Sequence, residues 1–176
     1  MSIKKNMESK KNLVLIGMMG SGKSTIGYLL AEKLGLQFLD IDKLIEQEEN
    51  STISNIFEKK GENYFRKIEE KITIKMLESS DKVISLGGGA FINKNIQKVV
   101  LKNHISVWLK WKSSTLIKRI KDNKKRPLAT SLNEKKLKEL IVNRSIMYNK
   151  ANLKIDCDNL NKNEIVDKIT LNYEKF

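Results

Sequence analysis

The chain has 176 residues, enough for one domain with a sizeable core and too few for two ample ones. Its formal charge is +13, yet the basic residues are lysines scattered over helical faces (Lys67, Lys71, Lys75; Lys135, Lys136, Lys138), with no stripe interleaved with aromatics. That pattern reads as solvated surface, and no nucleic-acid partner is expected. A single cysteine, Cys157, and a single histidine, His104, exclude an internal disulfide and a Cys/His zinc set. No apolar run approaches the ~20 residues of a membrane helix, so no membrane partner and a cytoplasmic location are expected.

Residues 1–11 form a polar tail, and residues 12–176 are read as one domain. Asn12 to Ile16 is a short apolar strand, followed by a helix through Ile26, Leu29, Leu30 and Leu34 that stops at Gly35. Leu36 to Leu39 reads as a second strand. Helical patterns then cover Lys43 to Glu48, Ser51 to Lys60 and Glu62 to Glu78, with Gly61 separating the last two. A third strand, Lys82 to Leu86, ends in three glycines and precedes a helix over Asn93 to Leu101. His104 to Leu109 is a fourth strand, Ser113 to Lys121 and Glu134 to Tyr148 are helices, Leu153 to Ile155 is a fifth strand and Asn161 to Leu171 a closing helix. Strands alternating with helices imply a parallel sheet covered on both faces, with ligands at the carboxyl ends of the strands. Between Lys121 and Glu134 lies a polar stretch with the only proline of the chain, long enough to serve as a lid.

Gly17 to Ser24, GMMGSGKS, fits G-x-x-x-x-G-K-S/T between a strand and a helix, the context that makes it a phosphate-binding loop. Gly20, Ser21, Gly22, Lys23, Ser24 and Thr25 are the expected nucleotide contacts. Backbone N–H groups curl around phosphate oxygens, Lys23 reaches the β- and γ-phosphates, and the Ser24 hydroxyl suits Mg²⁺. Asp40 and Asp42 stand one residue apart in FLDIDKLI. Carboxylates this close repel unless something positive lies between or beyond them, so they are solvated surface or half of a cation or substrate site. Asp42 also suits an N-cap of the helix that follows. Only four of 34 basic residues are arginines, Arg66, Arg119, Arg126 and Arg144, which marks places where a planar fork serves better than an ammonium.

Beyond the loop, FLDIDKLIE, IFEKKGENYFRKIE, VISLGGG, the RPL of the lid and NRSIMYNKANLKID together make the chain resemble a shikimate kinase, a P-loop kinase related to nucleoside monophosphate kinases. The resemblance runs from about Asn12 to the last helix. It implies a three-layer α/β/α P-loop NTPase fold, a five-stranded parallel sheet of order 2-3-1-4-5 with a mobile lid at about 122–133, and a shikimate-binding segment at about 41–70. It also implies transfer of the γ-phosphoryl of ATP to the 3-hydroxyl of shikimate, with Mg²⁺, on the route to chorismate and aromatic amino acids. Residue by residue, Asp40 matches the acid that holds Mg²⁺ with Ser24, and Asp42 the acid on the acceptor hydroxyl. Arg66 and Arg144 match the arginines on the acceptor carboxylate, and Gly87, Gly88 and Gly89 the substrate-binding glycine run. Arg126 matches the lid arginine over the transferring group, and Arg119 the arginine that stacks on adenine. Chemistry unrelated to catalysis remains open for two of these: Arg66 as a surface ion pair with Glu69 or Glu70, and Arg119 as helix surface. Phe57 and Tyr64 are candidate pocket walls. Met18-Met19 departs from the family, which often has an aromatic residue first, and Arg144 is followed by Ser-Ile-Met-Tyr where a proline-containing run is usual. A monomer is expected, since no exposed apolar stripe stands out. A kinase of another small alcohol such as gluconate, a nucleotide kinase and a non-catalytic P-loop module are the rivals.

Overall fold

The computed structural model describes residues 11–122, 133–173 and 175–176. Its sheet has five parallel strands, β1 (Leu13–Ile16), β2 (Gln37–Asp40), β3 (Lys82–Ser85), β4 (Ile105–Lys110) and β5 (Leu153–Asp156), in the order β2-β3-β1-β4-β5. The expected order is therefore observed. β1 is buried along its whole length, because a central parallel strand covered on both faces must be apolar on both. Its alternate residues feed two cores: Val14 and Ile16 pack with Ile84, Leu86 and Trp108, while Leu13 and Leu15 pack with Val83, Val107 and Ile155.

The helices are α1 (Lys23–Leu34), α2 (Ile41–Glu49), α3 (Ile53–Leu77), α4 (Lys94–Asn103), α5 (Ser113–Lys121), α6 (Glu134–Tyr148) and α7 (Lys162–Tyr173). α1 and α7 supply Leu30 and Ile169 to the second core, and α2, α3 and α4 supply Ile45, Phe65 and Val100 to the first, which gives the three layers. α5 and α6 close a smaller cluster around Met18 of the loop after β1.

Gly61 separates two helices as expected: its φ 79° and ψ 170° are non-helical, and α3 (Ile53–Leu77) is two helices joined across a kink there. That backbone state lies in the left-handed half of the map, open chiefly to glycine. The sequence pattern gives no sign of a short 3₁₀ turn at Ala90–Ile92, which follows the glycine run and buries Ala90 and Phe91. Among the described residues no helix is long and apolar enough to cross a membrane.

Candidate active site

β1, β2 and β3 end together, and the segments leaving their carboxyl ends carry the phosphate loop, Asp40 with Asp42, and the glycine run, while Arg66, Arg119 and Arg144 come from α3, α5 and α6. The loop after β1 turns through Gly20 (φ 78°) and Gly22 (φ 86°), conformations costly for a residue with a Cβ, and Gly22 caps the start of α1. Lys23 is buried, and its Nζ donates to the carbonyls of Gly17 (2.9 Å) and Met18 (3.1 Å). The ammonium is thus held inside the loop it would share with phosphates. Thr25 lies with Gly20, Gly22 and Ser24 on a cavity of about 270 Å³.

Asp40 ends β2 and serves two neighbours with two oxygens. Oδ1 accepts from the backbone N–H of Asp42 (3.1 Å) and Lys43 (3.4 Å), which caps α2, and Oδ2 accepts from the Ser24 hydroxyl at 2.5 Å. The capping role considered for Asp42 therefore belongs to Asp40. Asp42 sits in the first turn of α2, where a negative charge is favoured by the helix dipole.

The second cavity, about 760 Å³, adjoins the first, with Ser24, Asp40, Asp42 and Gly88 lining both. Lys43, Glu46, Glu62, Arg66, Glu69 and Arg144 complete its charged lining. The glycine run explains how Asp42, Arg66, Glu69 and Arg144 come so close to the backbone. A Cβ on Gly87 would meet Glu69 Oε1 at 2.6 Å and Asp42 Oδ1 at 2.7 Å. On Gly88 it would meet the Met19 N–H at 3.2 Å and Arg144 Nη1 at 3.5 Å, and on Gly89 it would meet Arg66 Nη1 at 2.8 Å. At Gly87 and Gly89 the space of the missing side chain is occupied by the carboxylates of Glu69 and Asp42 and by the Arg66 guanidinium. The buried Tyr148 phenol donates to the Gly88 carbonyl, and burial pushes its pKa up to about 12.

Arg66 does pair with Glu69, but on a buried carboxylate rather than at the surface. Nη1 lies 2.7 Å from Glu69 Oε2 on a carboxylate only 2 % exposed, and Nη2 lies 3.2 Å from the exposed Glu62. Glu70 instead accepts from the amides of Asn93 (2.7 Å) and Asn95 (2.6 Å). Burial raises the pKa of Glu69 above the usual carboxylate value, with Arg66 opposing the shift and Asp42 adding to it. Its Oε1 is buried with no hydrogen-bond partner among the described residues. In the sequence Glu69 reads only as a surface partner for Arg66, because helical spacing alone does not reveal that Gly87 packs against it.

Arg144 projects from α6, with Nη1 3.7 Å from the Met18 sulfur. Met18 is buried and Met19 lines the larger cavity, so the departure from an aromatic residue places a thioether against an arginine. Phe57 lines the cavity as expected. Tyr64 does not; its hydroxyl bonds Glu49 and Lys60 away from it. Arg119 stands beside the phosphate loop, Nη1 3.5 Å from the Gly20 carbonyl, with its guanidinium stacked on Trp111. Arg126 and most of the expected lid lie outside the described residues.

The family model for shikimate kinase matches residues 19–174. The chain belongs to the shikimate kinase family. It is 43 % identical over 159 residues to a shikimate kinase of Sulfurihydrogenibium sp. (strain YO3AOP1), covering 90 % of this chain and 95 % of that one. The solved shikimate kinase from Acinetobacter baumannii in complex with shikimate superposes with a TM-score of 0.89 at 32 % identity over 96 % of both chains. A gluconokinase from Sinorhizobium meliloti 1021 has a TM-score of 0.57 at 16 % identity, covering 94 % of this chain and 92 % of that one, which shows a shared fold alone. Members of the shikimate kinase family are ATP-dependent kinases acting on shikimate in aromatic amino acid biosynthesis, and this chain is one of them.

Proposed function

We propose that the chain transfers the γ-phosphoryl group of ATP to the 3-hydroxyl of shikimate, giving shikimate 3-phosphate and ADP, and that it does so as a cytoplasmic monomer. The observation that carries this reading is the junction of the two cavities. Two arginines and a glycine run line the acceptor side, a phosphate loop lines the other, and Asp42 stands where they meet. Arg66 and Arg144 offer forks for a carboxylate, and the backbone N–H groups of Gly87, Gly88 and Gly89 lie where an acceptor ring can approach them. A bond forms between the acceptor oxygen and the γ-phosphorus as the bond to the β-phosphate bridging oxygen breaks, with that electron pair leaving on ADP. Asp42 orients the acceptor hydroxyl and takes its proton late, because a loose transition state asks for alignment more than for a strong base. Lys23 leaves its carbonyl partners for the β- and γ-phosphates, and Gly20, Ser21, Gly22 and Thr25 surround the remaining phosphate oxygens. Arg119 contacts the base. Arg126 is assigned to the transferring phosphoryl group on family resemblance alone, within a lid at about 122–133.

The donor set suits Mg²⁺. Among the described residues no group of three or more His, Cys, Asp or Glu gathers as a metal cage, but Ser24 Oγ and Asp40 Oδ2 stand 2.5 Å apart as two hard oxygen donors. Magnesium is commonly held by one or two protein oxygens with substrate phosphates and water supplying the rest. Bound by Ser24 and Asp40, it would neutralise phosphate charge.

Coupled ADP release with Mg²⁺ and ATP, titrating shikimate beside gluconate and nucleoside monophosphates, tests the proposal. Saturable turnover with shikimate alone is expected. Turnover with another acceptor and none with shikimate would overturn the assignment of the glycine run and the arginines, leaving the phosphate loop intact.

A further inference from the structure

Trp111 lies between β4 and α5 and touches the nucleotide side of the site in two ways. Its indole Nε1 donates to the carbonyl of Ser21, inside the phosphate loop, at 3.0 Å. Its face carries the Arg119 guanidinium, with Cζ 3.7 Å from the ring centroid, close for a cation over an aromatic ring. The turn that presents the indole is itself tied down. Lys112 at the start of α5 offers no side-chain cap, and Asp158 takes that place, accepting from the Lys112 N–H and the Thr115 hydroxyl at 2.7 Å each. Loop, indole and arginine thus form one stack anchored at both ends.

A guanidinium has two faces, and the indole covers one of them. The other is available to a second flat π system, and the loop beside it fixes where a nucleotide's phosphates lie. We propose that Trp111 is a positioning residue for the nucleotide base: it holds Arg119 flat beside the phosphate loop so that the guanidinium's opposite face receives the adenine. The inference rests on the reading of Arg119 as the base contact and supplies what holds that arginine in place, since an exposed arginine side chain otherwise samples many rotamers.

The test uses the full chain and ADP or pyrophosphate as competing ligands against ATP. Trp111→Leu removes both the platform and the donor. KM for ATP and the inhibition constant for ADP should rise about five- to tenfold, with KM for shikimate held within about twofold. Inhibition by pyrophosphate, which has no base, should stay as in the parent. Trp111→Phe keeps a ring face and should recover part of the ADP affinity. The chain has two tryptophans, Trp108 and Trp111. In a Trp108→Phe protein, emission should therefore change with ADP and not with shikimate alone.

Equal loss of ADP and pyrophosphate affinity in Trp111→Leu would show that Trp111 acts through the phosphate loop and would overturn the proposal. So would unchanged ADP affinity in a folded variant. Arg119→Lys separates the two levels of the argument. If that variant binds ADP normally, the base contact itself is misassigned; if it weakens ADP while Trp111→Leu does not, only the role of Trp111 fails.

Discussion

Arg66 and Glu69 form an asymmetric pair: the arginine head is about one-third exposed and opens on the larger cavity, while the carboxylate behind it is almost wholly buried. Nη1 is committed to Glu69, while the Nε–Nη2 edge rests on the exposed Glu62, which a carboxylate arriving from solvent can displace. Lysine cannot serve two carboxylates with parallel bonds. Arg66→Lys should raise KM for shikimate by about tenfold or more, with KM for ATP unchanged, in steady-state assays. An unaltered KM would reduce Arg66 to the counterion of Glu69.

Gly87 tests whether the glycine run is there for space. Its φ lies outside the left-handed range that disfavours side chains, so alanine meets no backbone obstacle, only the carboxylates of Asp42 and Glu69. Gly87→Ala should displace both into the acceptor cavity. kcat/KM for shikimate should fall about 100-fold or more, while stability falls by about 1–3 kcal/mol, the usual cost of overpacking. Near-normal turnover would show that the two carboxylates adapt freely and that the close approach is incidental.

Gly27, in the middle of α1, is a purely structural counterpart. A Cβ there would collide with the Phe38 ring and come within 3.2 Å of Leu15 Cδ1, in the core between α1 and the sheet. Alanine gains helix propensity of up to ~1 kcal/mol and loses more to the clash. Gly27→Ala should lower the thermal midpoint by about 3–6 °C without shifting either KM well below that midpoint.

His104 is the only histidine of the chain and caps the carboxyl end of α4. Burial lowers its pKa below 6.5. As pH falls through 6.5 the unfolded chain takes up a proton that the folded one resists, so its contribution to stability is complete above 6.5 and is lost toward the lower folded pKa. Replacing it by glutamine should flatten the slope of thermal midpoint against pH between about pH 7.5 and 5.5. A slope that persists unchanged would assign it to carboxylates.

The strand and helix pattern is readable because β1 is apolar throughout and most helices follow a glycine, asparagine, aspartate or threonine signal, α5 after Lys112 being an exception. The acids around α2 show where such reading stops. Asp40 and Asp42 both flank Ile41, and choosing which one caps requires knowing where the helix begins to within a residue. Glu69 is less legible still. Gly87, in the loop after β3, packs directly against its carboxylate, and nothing within α3 signals that. Trp111 and Arg119 are eight residues apart across a turn, so their stacking is likewise a product of tertiary closure.

β2 and β3 are direct neighbours, and the long excursion from residue 41 to residue 81 leaves the sheet at one and returns at the other. It carries Asp42, Arg66 and Glu69, whereas the loop for the phosphates hangs on β1 and the stack beside the base on β4. Exchanging that excursion for one of another length would disturb no strand pairing. The architecture is thereby partly modular: rewriting one crossover changes much of the acceptor side, while Gly87, Gly88, Gly89, Arg144 and the apparatus for ATP stay in place.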